Sequence, residues 1–453
     1  MAYTPNSDAI AKVMLRAMGL ERFEELFIDV PEEVRAQGNT PETTVATELT
    51  VRRQLEALSI MTHSADDAPI FLGAGSYDHY VPVAVEQMAT RADFTATYTP
   101  FQPEIIHDIL LAIFEYQTAV CHLTDLDVAN VSIYCGGSAL AQACQLATET
   151  TERKLILLPE TLNPDSMAIV KTYALSGLFE LVVIPQRDGV IDRGALSAFM
   201  EHNGANVAAI VVQYPNFFGL LEEAGQIVDD AKRYGALAIM SVDPILLTML
   251  KSPGEWGADI AVADGQTLGN SVSFAEPHLG FMAITRKLLC KLPEPYATKT
   301  LDLEGKRTVV LTLNARRQTR RENVNSDVFT IPSLKALTAL MYLAHIAPLE
   351  LKHAADSSYR LASYARAELA KAGFDFHHEA PFLREFAVKV DDPCGMNRYL
   401  MERGGIIGGF ELSDGLLLAF TEKRAKDEID ELVYLMKEYQ FGQSYECEEA
   451  TQD

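Results

Sequence analysis

The stretch Ile260-Ala261-Val262-Ala263-Asp264-Gly265-Gln266-Thr267-Leu268-Gly269-Asn270 decides the fold of this chain. It opens as a short apolar strand and turns into a polar, glycine-bearing loop. Working backwards, similar apolar runs occupy residues 237–240, 208–212, 181–184 and 155–158, and Asp243-Pro244 closes the first of these. Residues 281–284 supply one more run downstream. Amphipathic stretches such as 222–234 separate the earlier runs. Short, wholly apolar strands spaced by helices predict an α/β domain whose mostly parallel sheet is covered on both faces.

Around this core the chain reads in three parts. Residues 1–65 form a helical, polar arm, with Ser7-Asp8 capping a helix that Gly19 ends and a second helix over 48–61. Residues 66–310 form the large domain. There a helix opens at Gln102-Pro103-Glu104, a strand spans 131–134, and Cys135-Gly136-Gly137-Ser138 leads into a helix reaching Leu146. Residues 311–453 form a smaller α+β domain. Helices are expected over 334–345 and 351–372, then strand 384–390, helix 394–403, strands 404–410 and 415–420, and helix 426–439. The acidic tail from Gln440 is expected to be disordered.

The net charge of −25 opposes general attraction to nucleic acid or anionic membrane. The six cysteines, at 121, 135, 144, 290, 394 and 447, form no C-x-x-C pair, and no His/Cys set has metal-ligand spacing. Free thiols in a reducing compartment, no metal and a cytoplasmic location are therefore expected. No run approaches about 18 apolar residues, so no membrane span is expected. Nucleophile-elbow, P-loop and dinucleotide-binding fingerprints are all missing.

The order of these elements resembles the core of a fold-type-I pyridoxal-phosphate (PLP) enzyme. Such enzymes carry a lysine just beyond the strand that ends here at Asp264, and it forms the imine with the cofactor. This loop has Gln266, and no lysine occurs between Lys251 and Lys287. A glutamine amide cannot form an imine. Lys251 precedes the required strand and Lys287 follows the next one, so neither suits the rival reading of a self-sufficient PLP enzyme. The chain reads as the non-catalytic half of a two-chain enzyme, with no catalytic residue and no covalent cofactor of its own.

Several motifs carry a resemblance to one family. They include Asp29-Val30-Pro31-Glu32-Glu33-Val34-Arg35, Phe71-Leu72-Gly73-Ala74-Gly75-Ser76-Tyr77-Asp78-His79-Tyr80 and Tyr98-Thr99-Pro100-Phe101-Gln102-Pro103-Glu104. Pro253-Gly254-Glu255-Trp256-Gly257-Ala258-Asp259 and Gly265-Gln266-Thr267-Leu268-Gly269-Asn270 continue the set. With these the chain resembles the P-protein of the glycine cleavage system, as subunit 1 of its two-subunit form. The resemblance implies a heterotetramer in which a lysine-bearing subunit 2 holds PLP. There glycine is decarboxylated and its aminomethyl group passes to the lipoyl arm of H-protein, a transient partner. It also implies an Asp where Cys135 stands, a Thr where Ser138 stands and a glycine pair where Ala275-Glu276 stand. These departures keep an alternative open: a diverged, non-catalytic paralogue with a scaffold or regulatory role.

Four places carry site readings. Gly136-Gly137-Ser138, at a helix N-terminus, suits a phosphate, or is a tight turn with a serine cap. Asp243 suits the pyridine nitrogen of PLP, or is a turn residue before Pro244. Both are vestigial candidates without the lysine. Tyr98, Thr99, Gln102 and Glu104 lie in a rigid aromatic loop suited to the substrate channel or subunit interface, or to plain packing. Arg316, Arg317, Arg320 and Arg321 share one helix side as an anion-binding patch, or are solvated.

Overall fold

The computed structural model describes residues 7–34, 46–62, 67–95, 107–272, 278–292, 296–301, 304–312 and 330–449. The loop 98–104, Ala275-Glu276 and the arginine run 315–322 lie outside the described residues. The chain divides into two compact units, Met1–His63 and Ser64–Asp453. In the first, α1 (Asp8–Ala17) is capped by Ser7, whose hydroxyl accepts from Ile10 N–H, and Gly19 ends it at φ +76°. A 3₁₀ turn covers Phe23–Phe27 and α2 spans Glu48–Ile60 behind a Thr47 cap.

The second unit begins with a strap, residues 67–80, followed by α3 (Val83–Ala89), α4 (Ala92–Thr95) and α5 (His107–Thr124). The sheet strands come next: β1 (Val128–Ala129), β2 (Leu155–Pro159), β3 (Glu180–Ile184), a small hairpin β4 (Gln186–Arg187) and β5 (Val190–Ile191), then β6 (Val207–Tyr214), β7 (Leu237–Val242), β8 (Ile260–Asp264) and β9 (Gly280–Ile284). Helices α6 (Gly136–Thr151), α7 (Pro164–Ala174), α8 (Arg193–Asn203), α9 (Ala224–Arg233) and α10 (Pro253–Trp256) fall between them. The seven-stranded order is β1-β9-β8-β7-β6-β2-β3. The five strands from β8 to β3 are parallel, while β9 runs antiparallel to both β8 and β1.

Alternation along each strand explains why both faces are dry. Leu157, Ile210, Met240, Ala261 and Phe281 enter one core with α5, α8 and α9. Their neighbours Ile156, Val211, Ile239, Val262 and Met282 enter the other with α6 and α7. Period-two geometry sends successive side chains to opposite faces, so a strand covered twice must be apolar throughout.

A hairpin of β10 (Tyr296–Leu301) and β11 (Arg307–Thr312) follows, then α11 (Thr330–Ala372). The C-terminal part holds β12 (Glu385–Lys389), α12 (Pro393–Gly404), β13 (Phe410–Leu412), β14 (Gly415–Ala419) and α13 (Lys426–Glu449). Its antiparallel sheet, ordered β12-β14-β13, packs on α12, α13 and the end of α11 around Phe386, Leu418 and Phe420. The strap joins this sheet: Phe71 N–H donates to Ile407 O at 2.9 Å, and Phe71 O accepts from Ala419 N–H at 2.9 Å.

The helices expected over 334–345 and 351–372 are present as the two arms of α11, bent by 94° around Pro348, whose ring lacks the N–H that would continue the ladder. Three expectations are corrected. No strand fills 404–409. Gly405 ends α12 at φ +61°, and the edge strand begins only at Phe410. The strand expected over 131–134 is reduced to a single antiparallel bridge of Ile133 with Gly280 beyond β1, and between them Asn130 Oδ1 accepts from Met282 N–H in place of a regular ladder bond. The acidic tail continues α13 to Glu449, held where Phe441 meets Phe374 at 5.3 Å. No single described helix is long and apolar enough to cross a membrane.

Candidate functional site

The carboxyl ends of parallel strands leave a crevice where ligands of open α/β sheets bind. Here Gln213 of β6, Asp243 after β7 and Asp264 of β8 meet the first turn of α6, strap residues 74–77 and the start of β12. They enclose a cavity of about 340 Å³. Two packed halves thus meet over one polar space.

Arg384 dominates its charge. It is 1% exposed, and Nη2 donates to Asp243 Oδ2. Nη1 donates to His79 Nε2 at 2.8 Å, which leaves Nδ1–H of His79 to donate to Glu422 Oε2 at 2.6 Å. The guanidinium lies 3.3 Å from the Tyr77 ring centroid. Burial alone would lower its affinity for a proton, but Asp243, Tyr77 and Glu385 outweigh that and hold it charged. Asp243 is fully engaged, since Oδ1 also accepts from Ile245 and Leu246 N–H at 3.0 Å.

Next to it, Tyr77 O–H donates to Glu385 Oε1 at 2.5 Å, and Ala74 N–H donates to Glu385 Oε2 at 3.2 Å. Desolvation pushes the Glu385 carboxyl up to about 7, against the opposing pull of Arg384. The same burial, with Glu385 beside it, raises the Tyr77 phenol well above its usual range.

Gln266, in the loop beyond β8, is turned into the protein. Its Nε2 donates to Tyr77 O at 3.2 Å and Asn270 O at 2.7 Å, and its Oε1 accepts from Tyr77 N–H at 3.0 Å. The amide thus ties the strap to the loop, and it is 3% exposed. Ser138 lies in the first turn of α6, and the cap is Cys135, whose Sγ accepts from Ser138 N–H at 3.4 Å. Asp264 Oδ2 accepts from Gly136 N–H at 3.0 Å. A Cβ at Gly136 would come within 2.9 Å of Asp264 N, so only glycine lets α6 start this close to β8.

These contacts test whether PLP fits this cavity. The place for its phosphate, the first turn of α6, already gives a backbone N–H to a carboxylate, and that charge repels an anion. The Asp243 charge that would hold a pyridinium is neutralised by Arg384. No lysine is among the described lining residues. Lys251 stands over the Trp256 ring at 4.7 Å, and Lys287 pairs with Asp259. The residues present do not fit the cofactor.

Sequence reading picked out Asp243, Gln266 and Ser138, and the structure places all three around this cavity, with only Asp243 lining it. It missed Arg384, Glu385 and His278. Tyr98, Thr99, Gln102 and Glu104, expected at the channel, lie outside the described residues.

The sequence profile of the glycine cleavage system P-protein family matches residues 1–436. The probable glycine dehydrogenase (decarboxylating) subunit 1 of Syntrophomonas wolfei is 44% identical, over 96% of this chain and 99% of that protein. The protein of the same name from Carboxydothermus hydrogenoformans is 41% identical, with the same two coverages. A crystal structure of glycine decarboxylase (P-protein) in inhibitor-bound form superposes with a TM-score of 0.86 at 35% identity, over 97% of this chain and 100% of that one. An alanine–glyoxylate aminotransferase from Nostoc sp. shares the fold alone, with a TM-score of 0.58 at 15% identity, over 82% of this chain and 94% of that one. By profile, by relatives that match end to end and by backbone, the chain belongs to the glycine cleavage system P-protein family.

Proposed function

We propose that this chain is the cofactor-free subunit 1 of a two-chain glycine dehydrogenase (decarboxylating), inactive without its companion. The observation that carries this reading is the Arg384–Asp243 pair, which fills the cavity's anionic anchor with the protein's own cation. The companion then supplies the lysine and holds PLP. This chain contributes shell and rigidity, with Tyr98, Thr99, Gln102 and Glu104 facing the channel that admits glycine and the lipoyl arm of H-protein. The division at 65 and 310 into arm, large domain and small domain belongs to the same proposal, as does a cytoplasmic location. The relatives' name, subunit 1, supports a second chain.

Co-purification from the source cells tests it. Recovery of a PLP-bearing chain in equal amount, and release of labelled carbon dioxide from carboxyl-labelled glycine only when both chains and H-protein are mixed, is the expected result. A chain that recovers no PLP-bearing companion, or a companion fully active alone, overturns the proposal and leaves the scaffold role.

A further inference from the structure

The cavity contains a second arrangement that the network around Arg384 does not use. Ser76 Oγ lies 3.4 Å from His278 Nε2, and His278 Nδ1 lies 3.3 Å from Asp264 Oδ2. All three residues line the same space. Asp264 is held rigidly by the N–H groups of Gly136 and Gln266, each 3.0 Å away. An anchored carboxylate that accepts from Nδ1–H fixes the imidazole tautomer and leaves the Nε2 lone pair facing the serine hydroxyl. Nucleophile, base and orienting acid therefore stand in the order that acyl transfer needs, on a strap, a loop and a strand end far apart in sequence.

We propose that Ser76, His278 and Asp264 form a relay that makes Ser76 Oγ a nucleophile toward small, uncharged acyl esters and thioesters. Ser76 Oγ bonds to the acyl carbon as its proton passes to His278 Nε2. The carbon–oxygen or carbon–sulfur bond then breaks, and the departing alcohol or thiol takes that proton. Water attacks the acyl-serine, again giving its proton to Nε2. Serine leaves with that proton, and a carboxylic acid is released. Gly137 N–H, in the first turn of the 16-residue α6, lines the cavity and meets no acceptor among the described residues; once His278 has taken the proton its positive charge offsets that of Asp264, and this N–H is available to the developing oxyanion. The cavity volume of about 340 Å³ limits the acyl group to a small one. Asp165 and Asp264 in its wall turn away anionic acids.

The groups facing His278 also set a pH signature. The Asp264 hydrogen bond raises its pKa above the ordinary 6.5, opposed by burial and by Lys335 of α11. The neutral ring is the base, so reactivity rises with pH through that raised value and then levels.

The test uses the intact chain without partner or cofactor, so it stands apart from the subunit proposal. A fluorophosphonate probe is added and the adduct is mapped by mass spectrometry. The expected result is a single adduct on Ser76, absent in Ser76→Ala and formed about 100-fold more slowly in His278→Gln. Hydrolysis of a short-chain nitrophenyl ester should fall in parallel. Asp264→Asn should slow both reactions, but it also disturbs the Gly136 and Gln266 contacts. His278→Gln is therefore the deciding variant, checked for an unchanged circular-dichroism spectrum. No adduct on Ser76, or one that forms equally fast in His278→Gln or in the urea-unfolded chain, overturns the proposal.

Discussion

Replacing Arg384 with methionine should be the most damaging single change in the cavity wall. The substitution keeps much of the stem volume and deletes the guanidinium. Asp243, whose side chain is 13% exposed, then keeps a charge with no ion-pair partner. His79 Nε2 loses its donor and the Tyr77 ring loses its cation. Breaking one side of a buried ion pair costs about 3–5 kcal/mol. A unit of about 390 residues has an unfolding entropy near 0.8 kcal/mol/K, so Tm should fall by about 4–6 °C. The purified chain is assayed by calorimetry beside Asp243→Asn and the double variant. Once both charges are gone no uncompensated charge remains, so the double variant should recover about 2 kcal/mol relative to the sum of the singles. A loss below about 1 kcal/mol for Arg384→Met, or strict additivity, would refute the claim that this pair anchors the cavity.

Gln266→Lys should not create a PLP enzyme. After incubation with PLP and borohydride reduction, mass spectrometry should find no adduct at that position, and the lost buried hydrogen bonds should cost about 1–3 kcal/mol. Glu385 carries a pH signature. Its folded pKa of about 7 lies above the ordinary glutamate value of 4.5, so the folded state binds the extra proton and stability declines as pH rises from 4.5 toward 7. Glu385→Gln should remove that slope in a series of melting curves, and an unchanged slope counts against the burial argument. Gly219→Ala should cost about 2–5 kcal/mol in chemical denaturation, because φ is +77° there and the added Cβ would collide with Glu385 O. A loss within 0.5 kcal/mol would show that β12 yields easily.

The parallel sheet was legible because its strands are covered twice and read as unbroken apolar runs. The antiparallel hairpin at 296–312 was not, since Thr298, Lys299 and Thr300 carry no apolar rhythm. Asp243 and Gln266 announced themselves by their place after strands. Arg384 did not, although the pair Arg384-Glu385 at the head of the apolar run Phe386-Ala387-Val388 was a signal, for charges entering a buried strand need partners. Those partners, Asp243 and Tyr77, lie 141 positions upstream of Arg384 and 308 upstream of Glu385, where no local pattern reaches. Ser76 and His278 were hidden in the same way: Ser76 sits in the 71–80 motif and His278 in none, and only folding brings the strap to the loop before β9.

The strap's place between β14 and Ile407 sets a timetable for synthesis. Phe71 pairs with Ala419, closing a loop of about 350 residues whose closure entropy is about 5 kcal/mol. A ribosome adding about 5–20 residues per second needs roughly 20–70 s to bring that second partner out after the first. Through that interval the strap is an exposed edge segment with Phe71 unburied, able to pair with any free strand. The nascent chain is therefore most open to chaperones, and to wrong neighbours, until its last fifth has left the tunnel.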